Sequence, residues 1–281
     1  MQICKTLSEL KQAIDNLKKN RKKIGFVPTM GALHEGHLSL YHRCKAECEV
    51  TVASIFVNPI QFTNAEDLTK YPRNEAQDLQ MLESVGCDLV FMPSVTEMYA
   101  TPSEIKISFG ALETKLEGKF RPGHFSGVGV VVSKLFHLIA PGVAYFGQKD
   151  LQQYLIIKMM VEQLSFDLKV VCCDIMREPD GLAMSSRNLR IAHEHRASAA
   201  NIYKSLLLAQ SMLQTNSIDE IKESVNQFYS PNTPLVLEYF EIVDANSLES
   251  LVQITSNQKI AICVACQLGN VRLIDNILVS L

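Results

Sequence analysis

Short apolar runs alternate along the chain with longer stretches in which apolar residues recur every three or four positions. Residues 22–27 pass from Lys22-Lys23 to Ile24-Gly25-Phe26-Val27 and stop at Pro28, which suits a short buried strand that turns out of a sheet. After Gly36, the apolar residues Leu38, Leu40, Tyr41, Cys44 and Cys48 recur at roughly helical spacing. The β-branched run Val50-Thr51-Val52-Ala53-Ser54-Ile55-Phe56-Val57 reads as a fully buried strand ended by Asn58-Pro59. A helix over 75–85 closed by Gly86 and a strand over 88–92 before Pro93 complete a βαβαβ pattern. Ahead of it, Thr6-Leu7-Ser8-Glu9 has the form of a capping box, and Leu10, Ala13, Ile14 and Leu17 continue one helical face.

Segment 94–126 is less regular. A strand is predicted at Ile105-Lys106-Ile107-Ser108-Phe109, then a loop over 117–125 in which mobility is expected. Beyond it the pattern predicts a helix over 128–139, a strand over 143–146, a helix over 151–164 and a strand over 168–172. Such alternation implies an α/β fold, a parallel sheet with helices on both faces, whose ligands bind at the carboxyl ends of the strands. Polar residues of chemical interest should then follow strands, and His34 with His37, Asn58 with Gln61, and Gln148, Lys149 and Asp150 do so. From about Pro179 the character changes to a helix of roughly twenty residues from His193, a second helix near Ile218, and strands over 235–243, 259–267 and 271–276. These predict a smaller C-terminal α+β domain with an antiparallel sheet, and domain bounds of 1–178 and 179–281.

Composition narrows the class. The chain has 281 residues, 47% hydrophobic and 20% charged, as in a soluble globular protein rather than a disordered one. A formal charge of −3 gives no drive toward nucleic acid or anionic membrane. The basic run Lys18-Lys19-Asn20-Arg21-Lys22-Lys23 reads as a solvated helix end. No apolar run approaches the ~18 residues of a membrane span, and the N-terminus lacks the layout of a signal peptide, so a cytoplasmic location is expected. The eight cysteines are expected as thiols. Cys172 and Cys173 are adjacent in a predicted strand, and the C-x-x-C of Cys263 and Cys266 lies in an apolar strand run where residues three apart face opposite ways.

The stretch after the first strand carries the densest chemistry. His34 and His37 stand three apart at a helix start, where free backbone N–H groups and the helix dipole favour an anion. Gly31 and Gly36 allow close backbone approach, and imidazoles can donate hydrogen bonds. Two such histidines also suit a metal, or no ligand at all. The chain has no G-x-x-x-x-G-K-[ST] loop and no well-placed G-x-G-x-x-G, so any phosphates are held otherwise, with His34, His37, Lys149, Ser185, Ser186 and Arg187 as candidates. Lys149 would equally serve as a solvated lysine, and Ser185-Ser186-Arg187 as an ordinary helix cap.

His34-Glu35-Gly36-His37 after a strand resembles the H-x-G-H signature of the nucleotidylyltransferase superfamily. The longer string Pro28-Thr29-Met30-Gly31-Ala32-Leu33-His34-Glu35-Gly36-His37 resembles the pantothenate synthetase (pantoate–β-alanine ligase) family. Four further blocks are similar to that family and in its order: Ser54-Ile55-Phe56-Val57-Asn58-Pro59-Ile60-Gln61-Phe62, Arg121-Pro122-Gly123-His124-Phe125, Phe146-Gly147-Gln148-Lys149-Asp150-Leu151-Gln152-Gln153 and Asp180-Gly181-Leu182-Ala183-Met184-Ser185-Ser186-Arg187-Asn188. The chain departs from the common pattern at Arg190-Ile191, and has Gln148 where some members carry Glu.

The resemblance implies a Rossmann-like catalytic domain, a C-terminal lid, a homodimer, and ATP with Mg2+. Residues 30–37 would line the ATP site, with His37 catalytic and His34 assisting on the phosphates. Lys149, catalytic alongside the two histidines, would hold the triphosphate with Ser185, Ser186 and Arg187, Gly147 and Asp150 would reach the ribose, the backbone of Met176 would contact the adenine, and Gln148 and Met184 would also line the ATP site. Gln61 and Gln153, with Asn58, would grip pantoate, whose hydroxyls suit amides. The implied reaction is the condensation of pantoate with β-alanine through an acyl adenylate, and closing segments 119–124 and 185–188 over that adenylate would exclude water. Another adenylyl transferase, or a nucleotide sensor without turnover, would use much of the same inventory.

Overall fold

The computed structural model describes Met1–Leu281 throughout. The chain forms two compact units, one of Met1–Gln148 with Gln152–Asp174 and the other of Lys149–Leu151 with Ile175–Leu281.

The first unit holds the strands β1 (Gln2–Cys4), β2 (Ile24–Thr29), β3 (Val50–Ile55), β4 (Leu89–Phe91), β5 (Val143–Gly147) and β6 (Lys169–Cys173). Between them run α1 (Leu7–Lys19), α2 (Glu35–Glu47), α3 (Ala65–Thr69), α4 (Glu75–Ser84), α5 (Val95–Met98), α6 (Leu116–Phe120), α7 (His124–Ile139) and α8 (Leu151–Gln163). The six strands are ordered β1-β4-β3-β2-β5-β6 and every pairing is parallel. The chain builds outward from β2 to β3 and β4, then returns to place β5 on the other side of β2. That reversal makes the carboxyl ends of β2 and β5 the switch point at which such sheets bind ligands.

Neighbouring residues of β2 show why both faces are covered. Phe26 meets Phe136 of α7 edge-on, ring centroids 6.3 Å apart. Val27 points the other way, and its carbonyl accepts from the buried Tyr41 of α2 at 3.4 Å. Strands enclosed on both faces require near-continuous apolar runs, which is how β2 and β3 read. Each buried Val, Ile or Phe contributes about 1.5–3 kcal/mol.

The capping box at Thr6 and Glu9 forms as expected. One strand lies outside the expected pattern, and three expectations need correction. The edge strand β1 is too short to show a period, and it pairs with β4. Strand β2 runs through Pro28 to Thr29, because its ladder to β5 involves only Gly25 and Phe26 and no donor is needed there from Pro28. Residues 105–109 form no strand: Ile105 is 71% exposed, and the Ile107 amide donates to Ser126 Oγ at 3.1 Å rather than to a neighbouring strand. The expected loop over 117–125 is largely helical, comprising α6 and the start of α7 at His124.

The second unit contains α9 (Arg196–Met212), α10 (Ile218–Val225) and an antiparallel sheet of β7 (Leu235–Asp244), β8 (Lys259–Leu268) and β9 (Val271–Ser280) in that order. Helix α9 begins after a 3-10 turn at His193–His195. Ile202, Leu206 and Ile221 of the helices pack with Ile260, Ile262 and Val264 of β8 in one core. All eight cysteines are free thiols, with Cys263 and Cys266 both buried. No helix is long and apolar enough to cross a membrane.

Candidate active site

The loop after β2 is shaped by two left-handed residues, Gly31 at φ 81° and Ala32 at φ 51°. This conformation turns consecutive amides to one side, and all three are engaged within the protein. The Gly31 amide donates to Thr29 Oγ1 at 3.3 Å. Those of Ala32 and Leu33 donate to the two carboxylate oxygens of Asp78 at 2.9 and 2.7 Å. Asp78 lies on α4 and is 2% exposed. A Cβ at Gly31 would sit 2.8 Å from Asp78 Oδ2, so the position has space only for glycine.

His34 is the N-cap of α2, and its Nδ1 accepts from the Gly36 amide at 3.1 Å. An accepting Nδ1 has no proton, so a neutral ring carries its hydrogen on Nε2 and presents it as a donor. The His34 and His37 rings lie with centroids 4.1 Å apart, as the three-residue spacing predicts. The amides of His37 and Leu38 both return to the His34 carbonyl. The backbone donors expected to receive an anion are therefore largely spoken for by Thr29, Asp78 and His34 itself, and the two imidazoles are the side chains that this corner brings together. Asp78 escapes sequence reasoning because it is 46 residues from the loop and sits on an amphipathic helix like any other carboxylate.

At the end of the adjacent strand β3, Asn58 and Gln61 are buried at 1% and 6% exposure. Tyr99 donates to Asn58 Oδ1 at 2.9 Å, and burial pushes its phenol up to about 12, so it stays a donor through the neutral range. The Asn58 amide is thereby oriented, its Nδ2 donating to Gln61 Oε1 at 3.1 Å and to the Gly127 carbonyl at 3.2 Å. With its oxygen occupied, Gln61 turns Nε2 toward Met30, 3.0 Å from Sδ. Gln61 and Met30, predicted from separate blocks, thus meet. Asn58 has its amide committed to protein neighbours and acts on Gln61.

The block 121–125 supports the same turn. His124, 5% exposed, stands 2.7 Å from the Gln61 carbonyl through Nδ1 and 3.1 Å from Arg121 through Nε2. A carbonyl only accepts and a guanidinium only donates, which fixes His124 as neutral with its proton on Nδ1. Gly127 lets α7 approach, since a Cβ there would lie 2.4 Å from the Ile60 carbonyl.

Gly147 ends β5 with open space around its Cα, and Gln148 follows, half-buried. On α8 the neighbouring glutamines divide. Gln152 is 4% exposed, accepting from the Glu117 amide and donating to the carbonyls of Leu112 and Lys115, whereas Gln153 is half-buried.

The remaining candidates belong to the second unit. Lys149 is partly buried, with Nζ 4.0 Å from the exposed Asp150 carboxylate. Residues 176–184 form a hairpin: the Met184 amide bonds the Met176 carbonyl at 2.9 Å, and Glu178 pairs with Leu182. The side chain of Met176 is 43% exposed. The hairpin delivers Ser185, whose Oγ accepts from the Arg187 amide at 3.2 Å and caps the 3-10 turn Ser186–Arg190. The cap that was an alternative to phosphate binding thus exists, and it leaves the Ser186 and Arg187 side chains on that turn.

A sequence model of the pantoate-beta-alanine ligase family matches residues 2–278. The chain belongs to the pantoate–β-alanine ligase family. Among relatives in this family, the pantothenate synthetase of Cytophaga hutchinsonii is 45% identical over 278 residues, 98% of each chain. That of Bacteroides fragilis is 46% identical over 277 residues, covering 99% of this chain and 98% of the relative. The crystal structure of the Thermus thermophilus pantothenate synthetase superposes with a TM-score of 0.91 at 39% identity over 99% of both chains. The Francisella tularensis ligase, solved with beta-gamma ATP and beta-alanine, gives 0.82 at 36% identity over 99% of this chain and 97% of that one.

Proposed function

We propose that this chain catalyses the ATP-dependent condensation of (R)-pantoate with β-alanine to pantothenate, through pantoyl adenylate, with release of AMP and pyrophosphate. The observation that carries it is the constructed H-x-G-H corner, paired imidazoles on a braced loop at the switch point of the sheet, in a chain that matches the ligase family from residue 2 to 278.

Pantoate is ionised at neutral pH, since carboxylates titrate near ~4, so its attack on the α-phosphate needs no base. The step needs charge stabilisation and alignment. His37 is the catalytic imidazole in this reading, and His34, with its proton on Nε2, donates to the phosphates beside it. Lys149, Ser185, Ser186 and Arg187 bind the triphosphate. Residues 30–33 with Glu35 and Gly36 bound the nucleotide, Gly147, Gln148 and Asp150 serve the ribose side, and Met184 and the Met176 backbone serve the rest of ATP. Gln61 offers its NH2 group, and Gln153 its amide, to the pantoate hydroxyls and carboxylate, with Asn58 holding Gln61 in that orientation.

In the second step the uncharged amine of β-alanine attacks the acyl carbon, the bond to AMP breaks, and the ammonium proton passes to solvent or an imidazole. The chain gathers no cluster of three or more His, Cys, Asp or Glu side chains fit for a metal. This suits Mg2+ that arrives on the triphosphate, because that ion binds chiefly through phosphates and water and neutralises their charge. A cytoplasmic homodimer completes the reading.

The test is AMP and pyrophosphate release from ATP with pantoate, with and without β-alanine, in magnesium buffer. AMP should appear only with both acceptors present, and His37→Ala should slow it by about 10²–10³, the usual cost of one transition-state donor. ATP binding without pyrophosphate release for any acid would instead mark a sensor.

A further inference from the structure

Lys149 and the hairpin 176–184 are brought under one control by two consecutive residues near the C-terminus. Asn276 of β9, 3% exposed, donates from Nδ2 to the Lys149 carbonyl at 3.0 Å. Its neighbour Asp275, 2% exposed, receives both arms of the Arg177 guanidinium at 2.6 and 3.1 Å. Arg177 donates further to the carbonyls of Gly181 at 3.0 Å and Asn276 at 3.3 Å, and its guanidinium lies over the Tyr203 ring, 3.7 Å from the centroid. Gly181 turns the hairpin at φ 92°, where a Cβ would strike Tyr203 at 2.4 Å. Burial pushes the Asp275 carboxyl up from its ordinary value, and Arg177 opposes that shift.

A buried, bidentate ion pair adds little net stability over apolar packing, because desolvation offsets attraction. What it supplies is direction: two planar groups held in one geometry. Here the ion pair fixes the hairpin that runs straight into Ser185, Ser186 and Arg187 against β9, and the next residue of β9, Asn276, holds the backbone of Lys149.

We infer that Asp275 and Asn276 are positioning residues for ATP, which set the Lys149 backbone and the hairpin ahead of Ser185 in one fixed relation. The inference rests on the proposed role of Lys149 and of Ser185, Ser186 and Arg187 in holding the triphosphate. Neither Asp275 nor Asn276 touches substrate; each acts through the ligands it holds.

The experiment uses full-length Asn276→Ala, Asn276→Gln, Arg177→Lys, Lys149→Ala and Lys149→Ala/Asn276→Ala. Titration calorimetry gives Kd for a non-hydrolysable ATP analogue, and steady-state assays give KM for ATP and for pantoate. Losing one hydrogen bond of this kind corresponds to about a tenfold weakening. Asn276→Ala should raise Kd and KM for ATP by roughly that factor with KM for pantoate within about twofold, and Asn276→Gln should recover part of the loss. Arg177→Lys, which keeps the charge but loses the fork, should weaken ATP similarly and tests the Asp275 side of the pair without leaving that buried carboxylate uncompensated. On the Lys149→Ala background Asn276→Ala should cost less than about twofold more, since the carbonyl remains but the ammonium that it positions is gone. Unchanged ATP binding in Asn276→Ala and Arg177→Lys, equal losses for ATP and pantoate, or full additivity in the double variant would overturn the inference. The parent chain runs alongside: if it forms no pantothenate, the reading of the site fails, and if it does while the variants match it, only the positioning role fails.

Discussion

Asp78 offers the sharpest test of how the H-x-G-H loop is held. Its two oxygens each take one amide of the left-handed loop, at 2.9 and 2.7 Å, from a side chain 2% exposed. A hydrogen bond from an amide to a buried charged acceptor contributes about 1.5–3 kcal/mol. Asp78→Ala removes both and leaves the buried Leu33 amide and the half-buried Ala32 amide without their acceptor, a change of up to about 3–6 kcal/mol in favour of some other loop conformation. Asp78→Asn keeps one acceptor oxygen and turns an NH2 group on the second amide, so it should lose about half as much. Ala32 has a Cβ and no glycine's freedom at φ 51°, so once released the loop has reason to leave this conformation. If ATP binds only to the braced loop, rebuilding it at about 3 kcal/mol lowers kcat/KM for ATP roughly a hundredfold. The assay is steady-state pyrophosphate release over a range of ATP, beside urea unfolding of the same variants. The expected order is parent, then Asn, then Ala. Asp78→Ala with kcat/KM for ATP within about twofold of the parent would refute the reasoning, whatever it does to global stability.

Tyr99→Phe removes the donor that orients Asn58 and, through it, Gln61, and should raise KM for pantoate about three- to tenfold while leaving KM for ATP unchanged in the same assay. Burial pushes the Cys44, Cys87 and Cys266 thiols up to about 12, so at pH 8 only roughly one in ten thousand is thiolate; intact mass after iodoacetamide should show these unmodified in the folded protein and all eight cysteines modified in urea. The backbone amides of Ser247 and Asn246 hold the Asp244 carboxyl below its ordinary value. A depressed carboxylate contributes stability that is present above the unfolded value near ~4 and lost as pH falls through the folded one, so the Tm gap between parent and Asp244→Asn should be open at pH 7 and close below the carboxylate range.

The parallel sheet was legible because strands enclosed on both faces must be apolar throughout, as residues 50–57 are, while β1 has only three residues in which to show any pattern. Residues 105–109 misled for the converse reason. Ile105, Ile107 and Phe109 alternate like a half-buried strand, yet alternation says nothing of a partner, and the structure gives the Ile107 amide a serine hydroxyl instead. The paired imidazoles were legible because their geometry is local, three residues on one helix start. The groups that hold the site were not. Asp78 acts across 46 residues and Asn276 across 127, and nothing in the local pattern of either marks what lies opposite. Asn58, expected beside pantoate, has its amide hydrogen-bonded to Gln61, Gly127 and Tyr99, partners that no local pattern announces.

The three residues Lys149–Leu151 group with the C-terminal unit although the chain on either side of them, up to Gln148 and from Gln152, belongs to the first. The two units are therefore not separable cassettes. A C-terminal fragment starting at Ile175 would inherit Asn276 without the Lys149 carbonyl it holds, and an N-terminal fragment ending at Asp174 would keep Lys149 without its anchor. Swapping the C-terminal portion between homologues at a single junction would graft a foreign β9 onto a resident lysine. Such chimaeras should work only where Lys149–Leu151 and the Asp275-Asn276 pair come from the same parent.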